Sequence, residues 1–193
     1  MSDEAYEHLT YDGTTHISIG SLPGMAERTI SVYTFSKSYA MTGWRLGYVV
    51  SPPAMRPVMG PLLAFYTTHG VFPSVQSAGR AAVVGPQECV ATMRQAYLAR
   101  RDALLAGLAG QSAVRAPRPA GAFYVFANVS GALAGRDLWA LIEEWLSLGV
   151  AVLPGTAFGS EYGDWVRLSL ATRSEDVTAA GDLLRQHHAA ARV

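Results

Sequence analysis

The chain has 193 residues, of which half are hydrophobic and 16% are charged. This is enough apolar material for a packed core, so the composition excludes a largely disordered chain. The formal net charge is zero and there is no basic run or acidic tail, so neither nucleic acid nor a membrane is expected as a partner.

The N-terminal residues MSDEAYEH are acidic and polar, unlike a secretory signal peptide, which begins basic and then becomes apolar. No apolar run is long enough to span a bilayer. The one cysteine, Cys89, excludes an internal disulfide framework and favours a reducing compartment; we interpret it as a core or near-core residue. We therefore expect a cytoplasmic location.

The first part of the chain predicts a short sheet followed by helices. Residues 1–28 have the composition of a loop, and the β-branched and aromatic residues 30–34 predict a buried strand. Residues 35–43 are small and polar and predict a loop, whereas residues 44–50 predict a second strand. Helical sequence follows over about residues 54–109, with interruptions at the glycine–proline pairs near residues 70–73 and 85–86.

From residue 113 onward the pattern changes to short alternating units. Three strands are predicted, at residues 122–129, 150–155 and 165–171. Between the first two, apolar residues fall at the spacing of one helix face: Leu138, Leu141, Ile142, Trp145 and Leu146. Ser174 and the acidic residues after it predict the start of a final helix.

This order of elements favours two domains. The succession strand, helix, strand, strand, helix is typical of a small α+β domain. We place the boundary near residue 88, which gives an N-terminal domain of residues 1–88 and a C-terminal domain of residues 89–193.

Lys37 is the most informative residue of the N-terminal part. Ser36 and Ser38 flank it, and it follows directly on the strand candidate at residues 30–34. A surface-loop lysine would explain it, and so would an amine directed into a cleft for carbonyl chemistry. The wider segment TFSKSYAMTGWRLG decides between them.

That segment resembles the lysine signature of the class I/II aminotransferases that depend on pyridoxal phosphate (PLP), in the branch that acts on aspartate and aromatic amino acids. Five positions after the lysine fit the signature: Ala40, Met41, Gly43, Arg45 and Gly47. One position departs, because Thr34 stands where the family usually has serine or glycine. The resemblance implies that Lys37 forms an aldimine with PLP and then acts as general base and acid.

The resemblance also implies a phosphate cradle. A guanidinium binds phosphate through two parallel hydrogen bonds and keeps its charge. Arg45, which the predicted second strand would carry near its start, is the expected cation, and the hydroxyls of Thr34 and Ser36 are expected to add donors.

Two further parts of the sequence match the family. Asp3 and Tyr6 resemble its Asp-x-x-Tyr element, in which the aspartate pairs with the pyridine nitrogen of PLP and the tyrosine donates to the phenolic oxygen of the ring. Arg167, in the context WVRLSLA, resembles the arginine that binds the α-carboxylate of the substrate. Taken alone, the first would be a solvated N-terminus and the second a surface arginine on an edge strand. No metal site is predicted, because the histidines lack the spacing of metal ligands, and His187 and His188 are interpreted as a solvated helix end.

The resemblance covers nearly the whole chain but only the C-terminal half of the family pattern. It implies an α/β fold, namely the C-terminal part of the large domain of the aspartate aminotransferase-like fold (fold type I) with the small α+β domain after it. The implied activity is transfer of an amino group between an amino acid and a 2-oxo acid. The implied partner is a second copy in a homodimer or a separate N-terminal half. A PLP-dependent lyase or racemase and a non-catalytic fragment remain alternatives.

Overall fold

The computed structural model describes residues 1–68 and 70–190, and it divides into two compact units, Met1–Arg94 and Gln95–Val193. Both the boundary predicted near residue 88 and the division between the units fall on one helix, Glu88–Gly107. Among the described residues, no helix is long and apolar enough to cross a membrane.

A three-stranded sheet forms the centre of the first unit, in the order β1-β2-β3. In chain order, the first unit contains β1 (Ser2–Asp3), β2 (Ser31–Thr34), α1 (Phe35–Ser38), β3 (Gly47–Val50), α2 (Arg56–Tyr66), α3 (Pro73–Val84) and the start of α4 (Glu88–Gly107). Strands β1 and β2 are parallel and β3 runs antiparallel to β2. The breaks between α2, α3 and α4 lie where the glycine–proline pairs predicted them.

The prediction that residues 1–28 form only a loop was wrong. Ser2 and Asp3 pair with Ser31 and Val32 in a parallel ladder, and Leu9 and Tyr11 are buried. A two-residue strand has too few positions to show alternation, so its pairing partner, and not its own sequence, determines it.

The second unit contains a second three-stranded sheet, in the order β4-β6-β5, with antiparallel neighbours throughout. Its elements are β4 (Tyr124–Asn128), α5 (Ser130–Leu133), α6 (Leu138–Ser147), β5 (Leu153–Pro154), β6 (Trp165–Ser169) and α7 (Ser174–Ala190). All three predicted strands are present but shorter than predicted, and α7 begins at Ser174 as predicted.

Alternation along the strands separates the two faces of this second sheet. Val125 and Ala127 of β4, with Val166 and Leu168 of β6, are buried on one face. Four of the five residues predicted on the apolar face of α6 are buried as well, but Leu146 is 58% exposed. It lies at the margin of the apolar stripe, where a helix that packs on one side leaves water access.

Two interpretations of single residues were also wrong. Cys89 is exposed rather than part of the core. His188, which a solvated helix end would leave in water, is buried and accepts a hydrogen bond from the indole Nε1 of Trp145 at 3.2 Å. Both errors arise from helix geometry, because the side of a helix that faces the core depends on what packs against it.

Candidate active site

One edge of the first sheet gathers the predicted cofactor residues of the first unit. The parallel strands β1 and β2 both end there, β1 at Asp3 and β2 at Thr34, which is followed by the helical turn that carries Lys37. Because β3 is antiparallel and pairs Gly47 with Thr34, it begins at the same edge. The topology therefore places Asp3, Lys37 and Arg45 at the carboxyl end of β1 and β2, where α/β sheets commonly bind ligands.

Lys37 lies in a short helix, α1, and not in a loop as predicted. Thr34 is the N-cap residue of that helix, and its hydroxyl oxygen accepts a hydrogen bond from the backbone N–H of Ser36 at 3.1 Å. Ser36 and Ser38 are buried, whereas Lys37 between them is half-buried. The cap fixes the first turn of α1, and it thereby fixes the point at the sheet edge from which the Lys37 side chain extends.

A small apolar cluster holds this turn against α3. Phe35, Met41 and Leu46 are buried together, and Val75 and Ala78 of α3 pack against them. A side chain at Gly79 would come within 2.3 Å of the Leu46 methyl group Cδ2. The glycine therefore allows α3 to approach the segment that carries Lys37.

Arg45 does not lie in β3, which corrects the prediction that the second strand begins at residue 44. A short 3₁₀ turn, Thr42–Trp44, precedes it, and the backbone of Arg45 is left-handed, with φ of 52°. Its guanidinium Nη1 donates to the carbonyl oxygen of Thr42 at 2.9 Å and is otherwise exposed. Left-handed backbone is uncommon for a residue with a side chain and concentrates at functional sites.

The two hydroxyls predicted to face phosphate are placed differently. Thr34 donates its hydroxyl proton toward the carbonyl oxygen of Leu46, 3.4 Å away. A contact with phosphate would therefore require this hydroxyl to turn. Ser36 is buried within the first turn of α1. Both assignments remain predictions.

Asp3 and Tyr6 lie just beyond the end of β1. The Asp3 carboxylate is exposed at the sheet edge and accepts the backbone N–H of Ala5 at 3.1 Å. Tyr6 is half-buried. The segment is packed and not frayed, which removes the alternative that this N-terminus is simply solvated.

Sequence reasoning missed Glu4, the neighbour of Asp3. It is only 3% exposed, and its carboxylate accepts hydrogen bonds from the hydroxyl of Ser18, at 2.8 Å, and from His16. Burial alone would raise the pKa of Glu4, but hydrogen bonds from Ser18, Ser2 and His16 outweigh it and lower the pKa below its ordinary value. This carboxylate ties residues 16–18 to the end of β1 and so supports the backbone that carries Asp3.

The lowered pKa of Glu4 predicts a specific response to acid. A carboxylate with a depressed folded-state pKa stabilises the fold above its ordinary pKa of 4.5, and this contribution is lost as the pH falls through the folded value. We expect Glu4→Gln to lower the free energy of unfolding at neutral pH by about 1–3 kcal/mol and to flatten its decline in acid. Urea unfolding of both proteins between neutral pH and about pH 3 tests this.

Glu27→Gln is the matched control for Glu4→Gln, because Glu27 is an exposed glutamate in the same unit. It should leave both the stability and the pH profile within about 0.5 kcal/mol of the original. Equal effects of the two substitutions would contradict a special role for the Glu4 carboxylate.

Arg167 occupies the middle of the second sheet. It lies on the central strand β6, opposite Phe126 of β4 and Leu153 of β5, so the edge-strand interpretation was wrong. Its guanidinium carbon Cζ lies 4.2 Å from the ring centre of Tyr124 and 4.6 Å from that of Phe158. Arg167 is half-buried and belongs to the sheet face opposite the core.

The chain is similar to known proteins over most of its length. The family model for aminotransferase class I and II matches residues 1–181. The chain belongs to the class I and II aminotransferases. The predicted resemblance is thereby confirmed.

Named relatives include an aspartate aminotransferase of Musicola paradisiaca, which is 38% identical over 96% of this chain and 46% of its own length. An arginine–pyruvate transaminase of Pseudomonas aeruginosa is 38% identical over 93% of this chain and 45% of its own. The chain thus spans about half the length of the curated relatives it matches.

Solved structures agree with the fold. An aromatic aminotransferase from Pyrococcus horikoshii superposes with a TM-score of 0.90 and 36% identity, over 99% of this chain and 51% of that one. An aspartate aminotransferase from Thermus thermophilus with maleate gives 0.83 and 38% identity, over 96% of this chain and 47% of that one. The predicted fold class, part of the aspartate aminotransferase-like α/β fold, is confirmed.

The residues at the sheet edge fit PLP chemically. The family uses this cofactor, which offers an aldehyde, a phosphate and a ring nitrogen that is protonated when in use. Lys37 supplies an amine, Arg45 a cation and Asp3 a carboxylate, one group of suitable chemistry for each. The exposed Arg45 guanidinium has donors beyond the one given to Thr42.

Proposed function

We propose that this chain is part of a PLP-dependent aminotransferase and that Lys37 is the residue that attaches the cofactor. The observation that carries the proposal is the meeting of Asp3, Lys37 and Arg45 at one sheet edge, in a chain of the class I and II family. If Lys37 were only a surface lysine and Asp3 only a solvated aspartate, there would be no reason for both to lie at the same end of the sheet.

Each residue then has a defined task. Bound PLP supplies an electron sink for the bond that breaks at the substrate's Cα. The Lys37 Nζ holds the cofactor and, once displaced, takes up and returns a proton as general base and acid. The Arg45 guanidinium binds the phosphate group, and the Asp3 carboxylate keeps the ring nitrogen protonated. Tyr6 is the proposed donor to the phenolic oxygen.

Arg167 is the proposed holder of the substrate carboxylate. Its planar fork matches a carboxylate, which amino acids and 2-oxo acids share. Within the described residues its guanidinium donates no hydrogen bond to the chain, so its donors are available. The two substrates of an aminotransferase can therefore use it in turn.

A further polypeptide is proposed to complete the site. The relatives are about twice as long as this chain, and β1 and β3 are the outer strands of its first sheet. Outer strands offer unpaired backbone groups to another strand. We infer that a segment with the remaining part of the aminotransferase fold pairs there, and that the assembled protein acts in the cytoplasm as a homodimer.

Titration of the purified chain with PLP tests the proposal, with Lys37→Ala as the control. We expect a visible absorbance change in the original chain, fixation of the cofactor by borohydride, and its location on Lys37 by peptide mass spectrometry. The control should show none of these. Lys37 is the only lysine of the sequence, so fixation at the N-terminal amine, or equally in Lys37→Ala, would contradict the assignment of Lys37.

If the chain alone binds no cofactor, the titration is repeated with the complementary segment of a relative, such as the Musicola paradisiaca enzyme, produced in the same cells. Binding that appears only then would support a chain that needs its complement. Absence of binding in both cases would overturn the enzymatic proposal and leave a non-catalytic fragment.

A further inference from the structure

Arg167 is held in place by aromatic rings and by no hydrogen bond of its side chain to residues 1–68 or 70–190. Tyr124 of β4 and Phe158, which follows the 3₁₀ turn Gly155–Ala157, both lie beneath its guanidinium carbon at 4.2 and 4.6 Å. A guanidinium stacked on ring faces directs its N–H groups outward from its edge.

The other arginines of the second unit are held in a different way. Six of them donate side-chain hydrogen bonds to oxygen atoms of the chain: Arg100, Arg101, Arg118, Arg136, Arg173 and Arg185. Among residues 95–190, the remaining one, Arg115, is exposed to water. Arg167 alone among them is half-buried, stacked and without a hydrogen bond from its guanidinium to the described chain.

The way in which a guanidinium is held determines whether its N–H donors are available to a ligand. A partly desolvated cation without a carboxylate beside it is unfavourable, and the negative faces of the two rings compensate only part of the lost hydration. Hydrogen bonds to the chain would fix the guanidinium equally well but would occupy donors. Stacking fixes its plane and leaves the donors for a ligand.

We propose that Tyr124 and Phe158 are positioning residues, which orient the Arg167 guanidinium so that it binds the carboxylate of the substrate. This inference rests on the proposed function, since it deepens the role given there to Arg167. Neither ring needs to touch the substrate.

The neighbouring aromatic residues support one of the two rings. Phe126 packs edge-on against Phe158, with 5.9 Å between ring centres, and stacks on Trp165 at 5.0 Å. Phe158 is itself 46% exposed, so its ring would be free to move without such packing. The exposed position also means that a substitution there leaves the core intact.

Nuclear magnetic resonance of the cofactor-free chain tests the inference. The Nε–H signal of Arg167 is assigned by its loss in Arg167→Lys. Sodium acetate is then added in place of an equal amount of sodium chloride, so that the ionic strength stays constant. We expect a saturable shift of this signal with acetate. Phe158→Leu and Tyr124→Leu should each raise the dissociation constant for acetate about twofold to fivefold and move the signal away from its ring-shifted position.

Phe158→Tyr and Tyr124→Phe are the matched controls, because each keeps a ring. Acetate binding close to that of the original chain is expected for both. The inference is overturned if the leucine variants bind acetate as the original does, or if the ring-retaining variants lose as much as the leucine variants.

Absence of any saturable shift in the original chain would also overturn the inference. That outcome is distinct from failure of the proposed cofactor role, because acetate binding needs no PLP and fixation of PLP on Lys37 does not depend on Arg167. The two experiments therefore fail independently.

Discussion

Trp145→Ala is expected to lower the free energy of unfolding of the second unit by about 3–5 kcal/mol. Trp145 is fully buried on α6. Truncation of its side chain leaves a large cavity in the core and also removes the indole N–H that donates to His188 of α7. For a unit of this size such a loss is a substantial part of the total stability, which is typically 5–15 kcal/mol.

The bond to His188 explains why the effect extends beyond a cavity. Trp145 Nε1 can only donate, so His188 Nε2 must be the acceptor, which requires the neutral form of that ring. The preceding residue, His187, pairs with Glu144, which is the neighbour of Trp145 on α6. Two adjacent residues of α6 thus bind two adjacent residues of α7, and Trp145→Ala removes the buried half of this contact.

Trp139→Ala is the matched control, because Trp139 lies on the same helix but is 56% exposed. We expect it to change the stability by no more than about 0.5 kcal/mol. Urea unfolding followed by circular dichroism compares the two variants. Similar midpoints for both would mean that α6 does not pack through the face that carries Trp145.

Much of this structure could be predicted from the sequence, because the deciding signals are local. Helix breaks at glycine–proline pairs, the alternation of β6 and the apolar spacing of α6 depend on residues close in the chain. The Lys37 signature is equally local, since the strand, the turn and Arg45 all lie within a few residues of it. The family assignment followed from that segment.

Features that depend on distant partners could not be predicted. The short strand β1 exists because Ser31 and Val32 lie beside it. Glu4 is buried because residues 16–18 fold over it, and nothing in MSDEAYEH separates it from the exposed Asp3. The stacking of Arg167 on Phe158 joins a strand to a loop whose path the sequence alone does not give.

Arg45 lies outside the strand that the composition of residues 44–50 predicts. Its left-handed backbone follows from the 3₁₀ turn before it and from the hydrogen bond between Phe35 N–H and the Leu46 carbonyl after it. Two constraints on either side leave the residue little choice of conformation. The exposed guanidinium at the site edge is the result.

Gly47→Ala is expected to lower the stability of the first unit by about 1–3 kcal/mol and to abolish fixation of PLP on Lys37. A Cβ atom at this position would lie 2.5 Å from the backbone oxygen of Tyr33. Because that oxygen belongs to β2, the strands must separate at the pair Thr34–Gly47. Thr34 caps the helix that carries Lys37, so the separation displaces the lysine.

Gly43→Ala separates this steric effect from the loss of a signature glycine as such. Gly43 belongs to the same motif, but a Cβ there would meet nothing within 4 Å. We expect its stability and PLP fixation to match those of the original chain within about 0.5 kcal/mol and within error of the mass-spectrometric yield. Urea unfolding and borohydride fixation are measured on both variants under the same conditions.

The comparison between the two glycines tests how the fold supports the chemistry. If Gly47→Ala loses stability but still fixes PLP on Lys37, the pairing of β2 with β3 does not set the position of the lysine. If both variants lose fixation equally, the requirement at residue 43 comes from something other than space within the chain. Loss in Gly47→Ala alone would mean that close approach of two strands, directly before the capped turn, aims Lys37 at the sheet edge.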